Sequence, residues 1–77
     1  MASAEILIEP ERGRADSFRF VFTTSDGKIA GRVSVALEGR PDTRSPEEKS
    51  RAAQIKVEHL AHAFANAISE KRYVHRT

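Results

Sequence analysis

The sequence contains no cysteine and no tryptophan. Without cysteine the chain has no disulfide, no thiolate nucleophile and no cysteine-based zinc site, which fits a reducing compartment. No segment approaches the roughly 20 consecutive apolar residues of a membrane-spanning helix. The first ten residues carry Glu5 and Glu9 around a short apolar run, whereas a secretory signal needs a basic start and a longer apolar stretch. We therefore expect a cytoplasmic protein that does not enter a membrane.

The chain is short, and its charge is nearly balanced. Its 77 residues are expected to form one domain over residues 1–77. A domain of this size buries only about 60% of the surface of its unfolded chain, so a deep enzyme pocket is not expected. The net charge of +2 comes from 13 Lys and Arg against 11 Asp and Glu, spread along the chain. This charge permits a nucleic-acid partner but does not favour one.

The first half of the chain is predicted to be a sheet over residues 4–38. Alternating apolar residues indicate strands at Ala4–Glu9 and Ser17–Thr24, and a third strand is expected over Ile29–Glu38. In the second strand Phe18, Phe20 and Phe22 occur at every other position, which places the three rings on one face.

The dipeptide Asp26-Gly27 predicts a two-residue hairpin turn between the second and third strands, because both central residues of such a turn need positive φ. In the resulting register Phe22 lies opposite Gly31, and Phe20 lies opposite Val33. Phe18 then pairs with Val35, so that all the large apolar groups share one face.

The second half of the chain predicts a long helix over residues 45–72, followed by a frayed tail at 73–77. Ser45 and Glu48 match a capping box, and Pro46 suits the first helical position. An apolar stripe with helical spacing follows and consists of Ala53, Val57, Leu60, Phe64 and Ile68.

These elements predict an α+β fold of the βββα type, with a three-stranded antiparallel sheet and one long C-terminal helix packed on one face. The position of the first strand within the sheet stays open. The helical stripe is about 22 Å long and a seven-residue strand about 23 Å, so one helix is expected to cover one face. The predicted core consists of Ile6, Ile8, Phe18, Phe20, Phe22, Val33, Val35, Val57, Leu60, Phe64 and Ile68.

Residues that could carry chemistry are few. His59 and His62 lie three apart on the predicted helix, and Glu58 lies four before His62. A metal site needs three or four ligands, and the H-E-x-x-H arrangement is absent. No nucleophile–base pair and no glycine-rich phosphate loop is recognisable. We therefore predict a protein that is not an enzyme, with no catalytic, cofactor-binding or metal-binding residues.

The sheet face turned away from the helix is the candidate interaction surface. It carries Arg19, Val21, Arg32 and Ser34, and the predicted register places Val21 opposite Arg32 and Arg19 opposite Ser34. This mildly basic face can be a solvated outer surface, as in many antiparallel sheets, or a docking surface for phosphates or a second copy.

Two functions remain open. The first is a small non-enzymatic protein-interaction module that binds a protein partner or self-associates through a sheet edge or the outer sheet face. The alternative is a weak nucleic-acid-binding domain that uses the basic outer face together with Arg12 and Arg14. The layout resembles that of arm-site DNA-binding domains of phage-type integrases and the later part of double-stranded-RNA-binding domains. This resemblance is one of layout only, because no sequence motif accompanies it.

Overall fold

A computed structural model describes residues 4–76. Three strands precede one helix: β1 (Glu5–Pro10), β2 (Ser17–Thr23), β3 (Lys28–Ser34) and α1 (Pro46–Ser69). The strands form one antiparallel sheet in the order β1-β2-β3, so the predicted βββα fold is confirmed and β2 is the central strand. Within these residues no helix is both long and apolar enough to span a membrane. The expectations for residues 1–3 and 77 fall outside the described part of the chain.

The third strand and the helix are shorter than predicted. β3 ends at Ser34 instead of Glu38, although the Val35 amide still donates to the Asp16 carbonyl at 2.8 Å. The helix ends at Ser69, where the amides of Lys71 and Arg72 turn back to donate to carbonyls of its last turn. Lys71 takes a left-handed φ of 56°, the backbone conformation that commonly follows the last turn of a helix.

The predicted register of the β2–β3 hairpin is wrong by two residues. Phe22 pairs with Ile29, Phe20 with Gly31 and Phe18 with Val33. A shift of two keeps every side chain on its predicted face, because the side-chain period of a strand is two.

The loop explains the shift. It spans four residues, 24–27, and Gly27 is not among the residues with positive φ, so no primed two-residue turn forms. Instead the Thr24 hydroxyl accepts from the Asp26 amide and donates to the Gly27 carbonyl, both at 3.2 Å. Side-chain bonding by threonine therefore competes with the turn that the Asp-Gly dipeptide favours.

The buried core is smaller than predicted and lies at one end of the sheet. Its members are Phe18, Val33, Val35, Ala53 and Val57, with Ile8, Phe20 and Ala52 packed against it. The prediction that Ile6, Leu60, Phe64 and Ile68 belong to the core is wrong, because all four are exposed. The core is therefore built from the first half of the helix and from the end of the sheet where β3 finishes.

The helix begins with the predicted capping box. The Ser45 hydroxyl accepts from the Glu48 amide at 3.2 Å, and the Ser45 amide donates to the Glu48 carboxylate at 3.0 Å. The bond from the Ser45 amide is the main cause of a lowered pKa of Glu48, since the ionised carboxylate is the better acceptor. The cap fixes the residue at which the helix starts and hence the direction in which it leaves the loop.

A cluster of charged side chains ties the start of the helix to the sheet. Asp42 forms an ion pair with Arg44 at 2.8 Å, and Arg44 also donates to the Val35 carbonyl. Lys49, on the first turns of the helix, lies 3.0 Å from Asp16 and 3.6 Å from Asp42. The ion pair with Lys49 supplies a partner for an otherwise unpartnered, buried oxygen of Asp16. The cluster therefore links the loop before β2, the end of β3 and the helix.

Acid is expected to weaken this attachment. Hydrogen bonds from Arg44 hold the pKa of Asp42 far below its ordinary value of 3.8. A lowered folded-state pKa contributes stability above the ordinary value, and this contribution is lost as the pH falls toward the lowered one. The free energy of unfolding should therefore decline below about pH 4. In Asp42→Asn it should be lower at neutral pH and decline less with acid.

Urea unfolding followed by circular dichroism at several pH values measures this dependence. Asp26→Asn, at the exposed tip of the hairpin, is the matched control and should retain the wild-type pH profile. An Asp42→Asn profile parallel to the wild-type profile would show that Asp42 does not contribute.

Gly31 offers a test of the packing of the Phe20 ring. A Cβ atom at Gly31 would lie 2.9 Å from the Phe20 ring, so this residue must be glycine for the ring to lie across the strand. Gly31→Val should lower the free energy of unfolding by about 1–2 kcal/mol, because the ring must leave its packing against the core. Ala30→Val, one residue away on the exposed outer face, should change it by less than about 0.5 kcal/mol. Equal effects in thermal or urea unfolding would contradict the packing of the Phe20 ring across Gly31.

Candidate protein-interaction groove

The four residues predicted as an interaction surface do lie together on the outer face of the sheet. Their pairing differs from the prediction, because Arg19 lies opposite Arg32, Val21 opposite Ala30 and Ser34 opposite Ser17. The change follows from the shift of two in the hairpin register. It places two guanidinium groups directly across from each other, an arrangement that destabilises a sheet unless the charges are compensated.

Glutamates from the first strand and the following loop compensate both arginines. Arg19 donates to the Glu9 carboxylate, and Arg32 lies 3.3 Å from the Glu11 carboxylate. The Ser17 hydroxyl donates to Glu11 at 2.5 Å, which lowers the pKa of Glu11 and keeps it ionised. The outer face therefore carries paired charges rather than a concentrated basic patch.

The two helical histidines stay apart from other metal ligands. His59 and His62 are both exposed. Among residues 4–76 no three His, Asp or Glu side chains come close enough together to hold a metal ion. The described structure thus places no third ligand beside them.

An apolar groove lies between the helix and the sheet, and most of the residues that line it were predicted to belong to the core. The groove has a cavity volume of about 330 Å³. It is lined by Ile6, Phe20, Phe22 and Ile29 of the sheet and by Val57, Leu60, Ala61 and Phe64 of the helix. Every lining side chain is apolar, so the groove offers no acid, base or nucleophile.

The groove exists because the helical stripe is buried at one end and exposed at the other. Val57 is 6% exposed, whereas Leu60 is 47%, Phe64 is 54% and Ile68 is 43% exposed. All four lie on the same predicted stripe, so the change reflects the path of the helix and not its rotation. Beyond Val57 the sheet covers only part of each large side chain on the stripe.

Most of the facing wall of the groove is one row across the sheet, and Phe20 from the neighbouring inward-facing row completes the wall. Ile6, Phe22 and Ile29 are cross-strand neighbours in the observed register. Ile6 is 54% exposed and Ile29 is also exposed, so the row lacks the cover that Phe18 receives at the other end of its strand. The sheet residues Ile6, Phe22 and Ile29 and the exposed helix residues Leu60, Phe64 and Ile68 together form one apolar patch. The patch lies at the end of the sheet opposite the buried core.

The overall dimensions agree with an open arrangement. The radius of gyration is 14.9 Å, whereas a compact domain of this length has about 11–12 Å. The 24-residue helix is about 36 Å long and therefore extends well past a seven-residue strand. A single chain leaves the second half of this helix largely in solvent.

Ile29 was not predicted as a site residue, and the exposed groove residues Ile6, Leu60 and Phe64 were predicted to belong to the core. The signal for Ile29 was present in the alternation of Ile29, Gly31 and Val33, but the assumed turn placed Gly31 opposite Phe22. The helix length also indicated an overhang. The stripe from Ala53 to Ile68 nevertheless matches a strand in length, and a match in length does not show where along the sheet the helix is attached.

No protein-family model matches this chain, and neither a curated protein nor a solved structure matches it. The groove, the charges and the exposed residues described above are therefore the features that indicate a function.

The uneven burial of the stripe can be tested by truncating side chains. In dilute protein, Val57→Ala should lower the free energy of unfolding by about 1.5–3 kcal/mol, because a buried side chain is lost. Phe64→Ala should lower it by less than about 1 kcal/mol, because that ring is largely in solvent. Urea unfolding at low protein concentration measures both. A larger loss for Phe64→Ala than for Val57→Ala would mean that the helix lies flat on the sheet.

Proposed function

We propose that this chain is a non-enzymatic, cytoplasmic protein-interaction module whose groove binds an apolar surface of a protein chain. The observation that carries the proposal is the continuous apolar patch formed by the row at Ile6, Phe22 and Ile29 and the ridge at Leu60, Phe64 and Ile68. Exposed apolar patches of this extent on small proteins commonly mark binding sites. The lack of cysteine fits a cytoplasmic location, because the cytoplasm is a reducing compartment.

The form of the groove favours a protein ligand. A cavity of about 150 Å³ holds one benzene-sized group, so about 330 Å³ has room for roughly two large apolar side chains. Amphipathic segments bind such grooves by inserting side chains spaced along one face. The walls are fixed by strand pairing on one side and by the anchored helix on the other, which reduces the ordering cost of binding.

The apolar lining of the groove does not support a catalytic function. General acid–base and nucleophilic catalysis need polar groups that converge on a reacting atom, and the groove walls carry none. The charged cluster around Asp42 and Lys49 is occupied with its own ion pairs at the start of the helix. Its contacts serve the attachment of the helix.

Nucleic-acid binding through the outer face has weaker support. Arg19 and Arg32 are the bases at its centre, and each is paired with a glutamate. Binding to phosphates would have to replace those carboxylates, which reduces the electrostatic gain. The net charge of +2 adds little to attract a polyanion.

Affinity capture with groove variants tests the proposed function. The tagged wild-type chain should retain a protein from lysate, and Phe64→Asp should lose it, because an ionised carboxylate in the groove would be desolvated. Ile55→Asp is the matched control, since Ile55 is a similarly exposed residue on the same helix outside the groove. The retained protein, once purified, should bind the wild-type chain at least tenfold more tightly than the Phe64→Asp variant.

Retention of the same proteins by all three chains would contradict the assignment of the groove. Retention of nucleic acid that weakens steeply with salt and is lost in Arg19→Glu, but not in Phe64→Asp, would favour the alternative function instead.

A further inference from the structure

We propose that the occupant of the groove is a second copy of this chain, in a symmetric dimer whose helix ends are exchanged. This inference rests on the proposed function and names the partner. In the dimer Phe64 and Ile68 of each copy enter the groove of the other copy. There they cover the row of sheet residues at Ile6 and Ile29.

The first argument is self-complementarity. A two-fold interface uses the same patch on both copies, so the patch must contain both a concave and a convex part. The groove is the concave part. Phe64 lines its own groove but is still 54% exposed, so it can form the convex part together with Ile68, which lies one turn further along the stripe and is also exposed. Each copy can therefore fill the groove of the other copy, and no third molecule is needed.

The second argument is the available area. Ile6, Ile29, Leu60, Phe64 and Ile68 are each about half exposed. With about 200 Å² for a fully exposed large side chain, they present roughly 500 Å² of apolar surface per copy. Two copies would bury about 1,000 Å² from these residues alone, and roughly 1,500 Å² once a polar rim is included. This is the size of a specific, stable protein–protein interface.

The third argument is charge. A symmetric interface brings identical segments together, so a patch with a net charge would repel its copy. Residues 57–72 carry two acids, Glu58 and Glu70, and two bases, Lys71 and Arg72. The rim of the sheet adds one acid at Glu5 and one base at Lys28. The patch is therefore balanced, and a neutral copy suits it better than a polyanion or a strongly charged peptide.

The other surfaces considered for self-association are less suited. On the outer face the two arginines with their glutamates surround Leu7 and Val21, so a copy docked there would have to desolvate two ion pairs. The β1 edge contains Pro10, which lacks an amide donor for pairing with a copy. The groove patch carries none of these costs.

Sedimentation of the full chain over a wide concentration range tests the proposal. The wild-type chain of 8.6 kDa should show a concentration-dependent rise to the mass of two chains. Phe64→Asp should weaken the dimer at least tenfold, and Ile68→Asp is a second variant in case the first does not fold. Ile55→Asp and the outer-face variant Leu7→Asp should dimerise as the wild type does.

Each other outcome separates the two proposals. A chain that stays monomeric, but captures a protein that Phe64→Asp loses, would overturn the dimer and leave the proposed function standing. A monomer whose captured proteins are the same for every variant would overturn both. A dimer that is dissociated by Leu7→Asp and not by Phe64→Asp would place self-association on the outer face and contradict the exchange of helix ends.

Discussion

The structure depends on the attachment of a long, stiff helix at one end only. Ala53 and Val57 pack into the small core, and the charged cluster at Asp42 and Lys49 ties the first turns to the sheet. An α-helix transmits its direction along its whole length, because each turn is bonded to the next. Once the first half is fixed, the direction of the second half is largely set, and the groove lies where the stripe continues beyond the buried core.

This attachment also sets the energetics of the chain. The buried core has five residues, and a domain of this size has little apolar burial to set against the entropy of ordering its backbone. The largest apolar side chains of the second half of the helix contribute little to that core. Covering the patch at Phe64 and Ile68 would add burial that one chain cannot supply, so binding and stability are expected to be coupled.

The features that depend on near neighbours were predictable from the sequence. The capping box at Ser45, the helix and the alternation of Phe18, Phe20 and Phe22 follow from local spacing, and the structure confirms them. The hairpin register was not predictable from Asp26-Gly27, because the hydroxyl of Thr24 stabilises a longer loop.

The groove was not predictable from the sequence for a different reason. A helical stripe identifies which side of a helix is apolar, but it does not give the angle at which the helix crosses the sheet. That angle is set by contacts between distant residues, such as Lys49 with Asp16. An apolar stripe that forms a groove and one that forms a core have the same sequence pattern, so Leu60 and Phe64 were assigned to the core.

Thiol labelling of single-cysteine variants tests the one-ended attachment most directly, because the chain has no cysteine of its own. Val57→Cys and Phe64→Cys would be labelled at concentrations where the chain is a monomer, and each rate compared with that of the unfolded chain. We predict strong protection of the thiol at position 57 and a rate close to the unfolded one at position 64. Equal protection at both positions would contradict the account, since it would mean that the helix covers the sheet along its whole length.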